Sequence, residues 1–298
     1  MSRHSPILPI FSALAGIALF GVMDGVMKAA GGALGVWSTL FWRSCIAVLL
    51  MFPLWRLGGG RWPARATLRL HLLRGAVATA MALLFFWGLV RTPMADAIGI
   101  SFIAPLLALY LAAVMLGERI EGKAIAASLL GLAGVLVIVL GKLGREAATG
   151  QAADEASWGI AAILGSAVLY AWNLILQRRQ AQVAGPREIA LFQNMVVLGL
   201  LGCGSPWMVA VPPPAAWLLI GAAAALGVVS LMLMSWAYGR AEAQVLVPVE
   251  YSAFVWAAII GWLAYAEQVT AFTVAGVALI VGGCLVAARR SPIEQVAL

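Results

Sequence analysis

Ten long apolar runs, each almost free of charge, constrain what this chain can fold into. They cover approximately residues 6–28, 34–55, 72–90, 95–116, 124–141, 156–177, 189–211, 215–238, 243–265 and 268–288. About 20 such residues form a helix long enough to cross a hydrocarbon core ~30 Å thick. In lipid the backbone must satisfy its own N–H and C=O groups, and an α-helix does so within one segment. The expectation is therefore an all-α integral membrane protein with ten transmembrane helices. Only 10% of the 298 residues are charged, against roughly 25% in soluble domains, and no soluble domain fits between the runs. Arg3 and the Ala13-Leu14-Ala15 stretch imitate a signal peptide, but the run continues to Met23 and reads as the first span.

The formal charge of +7 raises nucleic acid as a partner. No basic patch interleaved with aromatics lies outside the apolar runs, so that partner is excluded. Excess Lys and Arg in a membrane protein instead marks cytoplasmic loops. With the N-terminus inside, the cytoplasmic set is Arg3, Arg56, Arg61, Arg65, Arg69, Arg74, Arg119, Lys123, Arg178, Arg179, Arg187, Arg240, Arg289 and Arg290. The outside set is Lys28, Arg91, Lys142 and Arg145, and only Arg43 lies well within a span. Both termini are expected in the cytoplasm.

Residues also recur at a spacing of 149: Glu118 with Glu267, Trp87 with Trp236, Arg91 with Arg240, Gly134 with Gly283, and Asp24 with Asn173. The first pair closes matching runs, "LGERIEG" and "YAEQVTA". Each half then holds five helices, an odd number, so the second half enters the membrane from the opposite side. Inverted repeats of this kind characterise secondary transporters that rock about a central site. The expected organisation is a first five-helix repeat over 1–143, a periplasmic linker over 144–156, and a second repeat over 157–298.

Two stretches carry a family resemblance. "TPMADAIGISFIAPLLALYLAAVMLGER" has an extracellular turn, a proline within the fourth helix and a closing G-E-R, and "PVEYSAFVWAAIIGWLAYAEQ" corresponds to it in the ninth. Through them the chain resembles the drug/metabolite transporter superfamily, in the ten-helix branch built from two EamA-type repeats, and looks most like bacterial exporters of aromatic and other amino acids. The resemblance implies a carrier of the bacterial cytoplasmic (inner) membrane that exports small metabolites without an ATPase partner or a cofactor. Its partners would be the small-molecule substrate and membrane lipid. Other amphipathic metabolites or drugs are the alternative cargo.

An ionisable residue inside a span is costly unless it meets a partner or a watery cavity, so each is a functional candidate. Glu250, in Pro248-Val249-Glu250-Tyr251-Ser252, could bind a substrate ammonium group, carry a proton or hold a neighbouring helix. Pro248 would loosen the turn that carries it. Arg43 could clasp a substrate carboxylate bidentately or neutralise Asp24; Gln193 occupies the comparable place in the seventh span. Asp24 and Lys28, spaced i, i+4, share one helix face and read as an ion pair or as part of an outer gate. The motif Gly21-x-x-x-Gly25 on the same helix suggests close helix packing. Aromatic residues beside polar groups are candidates for cavity walls: Trp42, Tyr170, Trp172, Tyr251 and Trp256, with Asn173 as a polar contact. His71 falls near the cytoplasmic start of the third span, where the interface would solvate it. Pro105 and Pro248 interrupt the fourth and ninth helices, and paired helix breaks point to a transport site.

Other classes are disfavoured. Two histidines, and Cys45, Cys203 and Cys284 inside apolar runs with no C-x-x-C pair, offer no metal site. A membrane enzyme acting on lipid would need a catalytic cluster, and none is present; a channel would need more polar residues in its spans. "GERIEGKA", from Gly117 to Ala124, imitates a phosphate-binding loop, but Ala124 stands where magnesium binding needs Ser or Thr and a long apolar helix precedes it. It reads as a cytoplasmic turn.

Overall fold

The computed structural model describes residues 7–116, 122–149, 153–240, 246 and 249–288. Among these residues the apolar runs are helices and there is no strand. The helices are α1 (Ile7–Leu34), α2 (Val36–Leu57), α3 (Arg65–Val90), α4 (Met94–Ser101), α5 (Ala104–Leu116), α6 (Gly122–Thr149), α7 (Ala153–Val183), α8 (Pro186–Cys203), α9 (Ser205–Met208), α10 (Pro214–Tyr238), α11 (Ser252–Tyr265) and α12 (Ala271–Ala288). Five segments, Leu8–Leu34, Val36–Leu57, Arg65–Val90, Ser157–Val183 and Pro214–Tyr238, are long and apolar enough to cross a membrane. Met94–Ala108, Ser252–Tyr265 and Ala271–Gly283 are shorter apolar helices. Large apolar side chains such as Leu49, Leu140, Leu218 and Leu263 point outward, as expected of helices that meet lipid rather than water.

Several helices overrun the apolar runs, because hydrogen bonding along the backbone continues after the side chains become polar. Helix α3 starts at Arg65 and α7 continues to Val183. The linker expected over 144–156 is helical on both sides, since α6 reaches Thr149 and α7 begins at Ala153. Between α1 and α2 the chain reverses at Gly35 alone, whose φ of 80° suits a residue without Cβ. Glu118 and most of the turn that contains it lie outside the described residues, as does Pro248.

The fourth run is broken at Phe102–Ile103, between α4 and α5. Pro105, the second residue of α5, has no N–H to give and its ring crowds the carbonyl of Ser101. The hydroxyl of Ser101 donates back to Ala97 O at 2.9 Å, a bond that also favours bending. In the ninth run, Val249 and Glu250 are helical, Tyr251 forms a turn and α11 starts at Ser252. The rings of Phe102 and Tyr251 meet edge to face with centroids 5.1 Å apart, so the two breaks face each other.

Helix α1 packs along α10 and α11, α3 against α7 and α8, α2 against α8 and α10, and α6 along α12. Lipid tails are as apolar as leucine, so contacts of this kind depend on close approach at small residues. A Cβ on Gly25 would lie 2.8 Å from Ile260 Cγ2, and one on Gly21 would lie 3.0 Å from Trp256 Cβ. At the α6–α12 contact, a Cβ on Gly134 would be 2.5 Å from the carbonyl oxygen of Gly276. The main apolar core joins residues of most helices, including Met27, Leu40, Leu89, Ile100, Ile138, Ile163, Leu201 and Ile280.

Candidate functional site

The packing leaves a cavity of about 310 Å³ bordered by α1, α2, α3, α4, the start of α5, α7, α8, α10, the Glu250–Tyr251 turn and α11. Phe20, Met23, Phe85, Phe86, Met94, Phe102 and Met234 supply apolar wall. Asp24, Arg43, Arg74, Tyr170, Asn173, Gln177, Gln193, Asn194, Glu250 and Tyr251 supply the polar points. Facing this cavity spares these groups from lipid, where a charge is costly.

The charged groups are held in three different ways. Arg74, only 2% exposed, donates from Nε to Asn173 Oδ1 at 3.1 Å, from Nη2 to Gln177 Oε1 at 3.4 Å, and from Nη1 to Gln180 Oε1. Asn173, Gln177 and Gln180 follow one another at i, i+4 and i+7, so α7 presents all three on one face. Glu250 accepts a hydrogen bond from the hydroxyl of Tyr238, and the phenol of Tyr170 lies near enough to interact with its charge. Asp24 and Arg43 attract each other from α1 and α2, yet no ion pair within 4.0 Å joins them among the described residues. Arg43 instead points Nη1 at Met23 Sδ, 3.6 Å away. Gln193 Oε1 is buried and has no hydrogen-bond partner among the described residues.

Polar clusters tie both ends of the bundle. At one end Lys28 Nζ donates to Glu267 Oε1 and, at 2.7 Å, to the carbonyl of Thr92. Glu267 Oε2 accepts from the backbone N–H of Met94 at 2.7 Å, so this carboxylate caps the first turn of α4, where negative charge is favoured. Lys142 Nζ reaches Thr92 Oγ1 at 2.8 Å, and Asp96 accepts from Thr273 Oγ1 at 2.5 Å and Arg145 Nη2 at 3.1 Å. At the other end His71 stacks on Phe192, with centroids 4.8 Å apart. Gln180 Nε2 meets His71 Nδ1 at 2.6 Å, and His71 Nε2 meets Glu188 Oε1 at 3.0 Å. Because Gln180 Oε1 is taken by Arg74, its amide N–H donates to Nδ1, so the ring proton resides on Nε2 and is donated to Glu188.

Of the residues expected from sequence to form the site, Asp24, Arg43, Tyr170, Asn173, Glu250 and Tyr251 line the cavity. Trp42, Trp256 and Lys28 do not. Trp42 donates from Nε1 to Ala210 O at 2.9 Å and packs edge-on against Trp217, anchoring the segment between α9 and α10. It adjoins Arg43 in sequence, and adjacent helical residues point in different directions. Trp256 packs on Gly21 of α1. Lys28 pairs with Glu267 rather than Asp24, because its long stem carries the ammonium to the end of the bundle while Asp24 stays at the cavity. His71, expected at a solvated interface, is fully buried, since α3 begins before it and α7 and α8 cover it. Sequence reasoning missed Arg74, Gln177 and Asn194. Arg74 lies inside the third apolar run, which is the available signal, but a count of Lys and Arg by side places it with the loop arginines.

An all-helical membrane protein that encloses a small cavity with apolar walls and a few placed charges has the architecture of a solute carrier. The chain belongs to the EamA-like transporter family, whose model matches residues 7–140 and 157–289. It is thus a multi-pass membrane transporter of the drug/metabolite type. A pseudopaline exporter, CntI, of Pseudomonas aeruginosa (strain UCBPP-PA14) is 28% identical over 277 residues, covering 91% of this chain and 92% of the exporter. A riboflavin transporter of Brucella anthropi is 22% identical over 287 residues, covering 93% of this chain and 97% of the relative. One solved structure, described as "Crystal structure of protein", has a TM-score of 0.62 at 24% identity and covers 96% of this chain and 97% of its own; it shares the fold.

Proposed function

We propose that this protein is a secondary carrier that exports small amphipathic metabolites across the bacterial inner membrane by alternating access, with amino acids, aromatic ones included, as its cargo. The observation that carries this reading is the cavity, where two carboxylates, two guanidiniums and several amides border apolar and aromatic wall. Apolar wall with few fixed polar points suits a ligand that is partly greasy and bears charges of both signs. Ten membrane crossings arranged as two inverted five-helix repeats are part of the same reading. In its support, the contacts of α1 with α10 and α11 have counterparts in those of α7 with α3 and with α4 and α5, and the pairs α2–α8 and α6–α12 are exchanged with themselves. Arg91 lies 3.8 Å over the ring of Trp87, and Arg240, at the matching place in the second half, lies 4.4 Å over Trp236. Phe102 and Tyr251, in contact, share the same spacing of 149. Lys28, Lys142 and Arg145 gather around the 91–96 segment, which suits an orientation with that end outside and both termini in the cytoplasm.

A second reading, another amphipathic metabolite or drug as cargo, is favoured by the similarity to a pseudopaline exporter and a riboflavin transporter. Purified protein in liposomes, tested with labelled amino acids with and without a pH gradient, separates the two. Flux above empty vesicles is expected for at least one aromatic amino acid. Absence of flux for every amino acid, with riboflavin or another amphipathic metabolite carried, would move the cargo to the second reading.

A further inference from the structure

The cavity treats its two arginines differently, and the difference bears on the ligand. Arg43 has the carboxylate of Asp24 as its electrostatic partner. Arg74 is bordered by Asn173, Gln177 and Gln180, all neutral, and among the described residues no carboxylate lies within 4.0 Å of its guanidinium. A guanidinium buried in a membrane protein without a counter-ion retains an unmet demand for negative charge, because amide acceptors satisfy its N–H groups without neutralising it. The amides also orient it. They take a hydrogen bond from each of its three nitrogens, leaving about two of its five N–H donors, one on each Nη, for another acceptor. Their positions on α7 are fixed in turn, since Gln180 is held by His71 and His71 by Glu188.

We propose that Arg74 is the anion subsite of the cavity and binds the carboxylate of the transported molecule through its two Nη groups. The subsite rests on the reading of this cavity as the substrate site. A planar carboxylate matches the remaining donors as a fork, and its charge supplies the absent counter-ion. Glu250, between Tyr170 and Tyr238, and the unpartnered Gln193 Oε1 then form the acceptor side for an ammonium or N–H group. The substrate class is a compound with an apolar body and at least one carboxylate.

The test uses full-length protein in proteoliposomes and three probes with one aromatic body: phenylalanine, with ammonium and carboxylate; phenylpropionate, with carboxylate alone; and phenethylamine, with ammonium alone. The wild-type protein is expected to carry at least one carboxylate-bearing probe in preference to phenethylamine. In R74Q that preference should fall about tenfold or more, the effect of losing a charge-assisted fork. R74K keeps the charge and loses the fork, so it should raise the KM for the carboxylate probe while still favouring it over the amine. This second variant keeps the test decisive if R74Q does not elute as folded protein. Transport of phenylpropionate without phenylalanine would overturn amino acids as cargo and support the subsite. An unchanged preference in R74Q, or phenethylamine alone carried by the wild type, or no carboxylate probe carried at all, would overturn it.

Discussion

Glu250 lies where the ninth run bends, with the hydroxyl of Tyr238 bonded to it and Tyr170 of α7 near its charge. The Tyr238 hydroxyl holds the carboxylate at the cavity without supplying a positive charge. In Glu250→Gln the shape and most hydrogen bonds survive, so the protein should elute as the wild type does while transport falls about tenfold or more, the loss expected for charge-assisted contacts. Full flux in that variant would remove Glu250 from the mechanism. The residue scale is also where sequence reasoning was least reliable. The acid in a greasy run was legible because its cost in lipid demands a cavity or partner. Trp42 and Trp256 are close in sequence to Arg43 and Glu250, and on a helix that closeness does not make side chains face the same way. Arg74 was hidden for a different reason, since only its contact with α7, about a hundred residues further along, separates a buried guanidinium from a loop charge.

At the scale of elements, the broken fourth run and the glycines of α1 shape the site. The breaks after Ser101 and at Tyr251 bring Phe102 and Tyr251 together at the cavity. Pro105 announced the first of these from sequence; its contact with the second break depends on how the two halves pack. Lys28 and Glu267 join α1, the start of α4 and the turn between α11 and α12 at one end of the bundle. Their side chains are 11% and 17% exposed, so the pair is shielded enough to contribute measurably. Lys28→Met would leave Glu267 without its cation and weaken the tie among these elements. A cysteine at Ile98, which lines the cavity, in a background lacking Cys45, Cys203 and Cys284, should then react about fivefold faster or more with an impermeant reagent applied from that side, for a shift of roughly 1–3 kcal/mol. An unchanged labelling rate would show that the pair does not control access.

Over the whole molecule, the proposed orientation rests on where the charges emerge. A cysteine replacing Arg61, in the exposed segment between α2 and α3, should resist impermeant reagents added to intact cells and react once the membrane is opened. Labelling from outside would reverse the proposed topology. The membrane-spanning character, the helical class and the approximate place of most helices were determined by the sequence alone, because each depends on apolar content and backbone hydrogen bonding within one short segment. Gly21 and Gly25, which admit close contact with α11, were visible for the same local reason, whereas the contact of Gly134 with Gly276 was not. What only the tertiary structure decided is which polar groups converge: Arg74 on the amides of α7, Glu250 on Tyr170 and Tyr238, Lys28 on Glu267. A local pattern shows that a polar group in a span needs a partner; the crossing of distant helices chooses that partner.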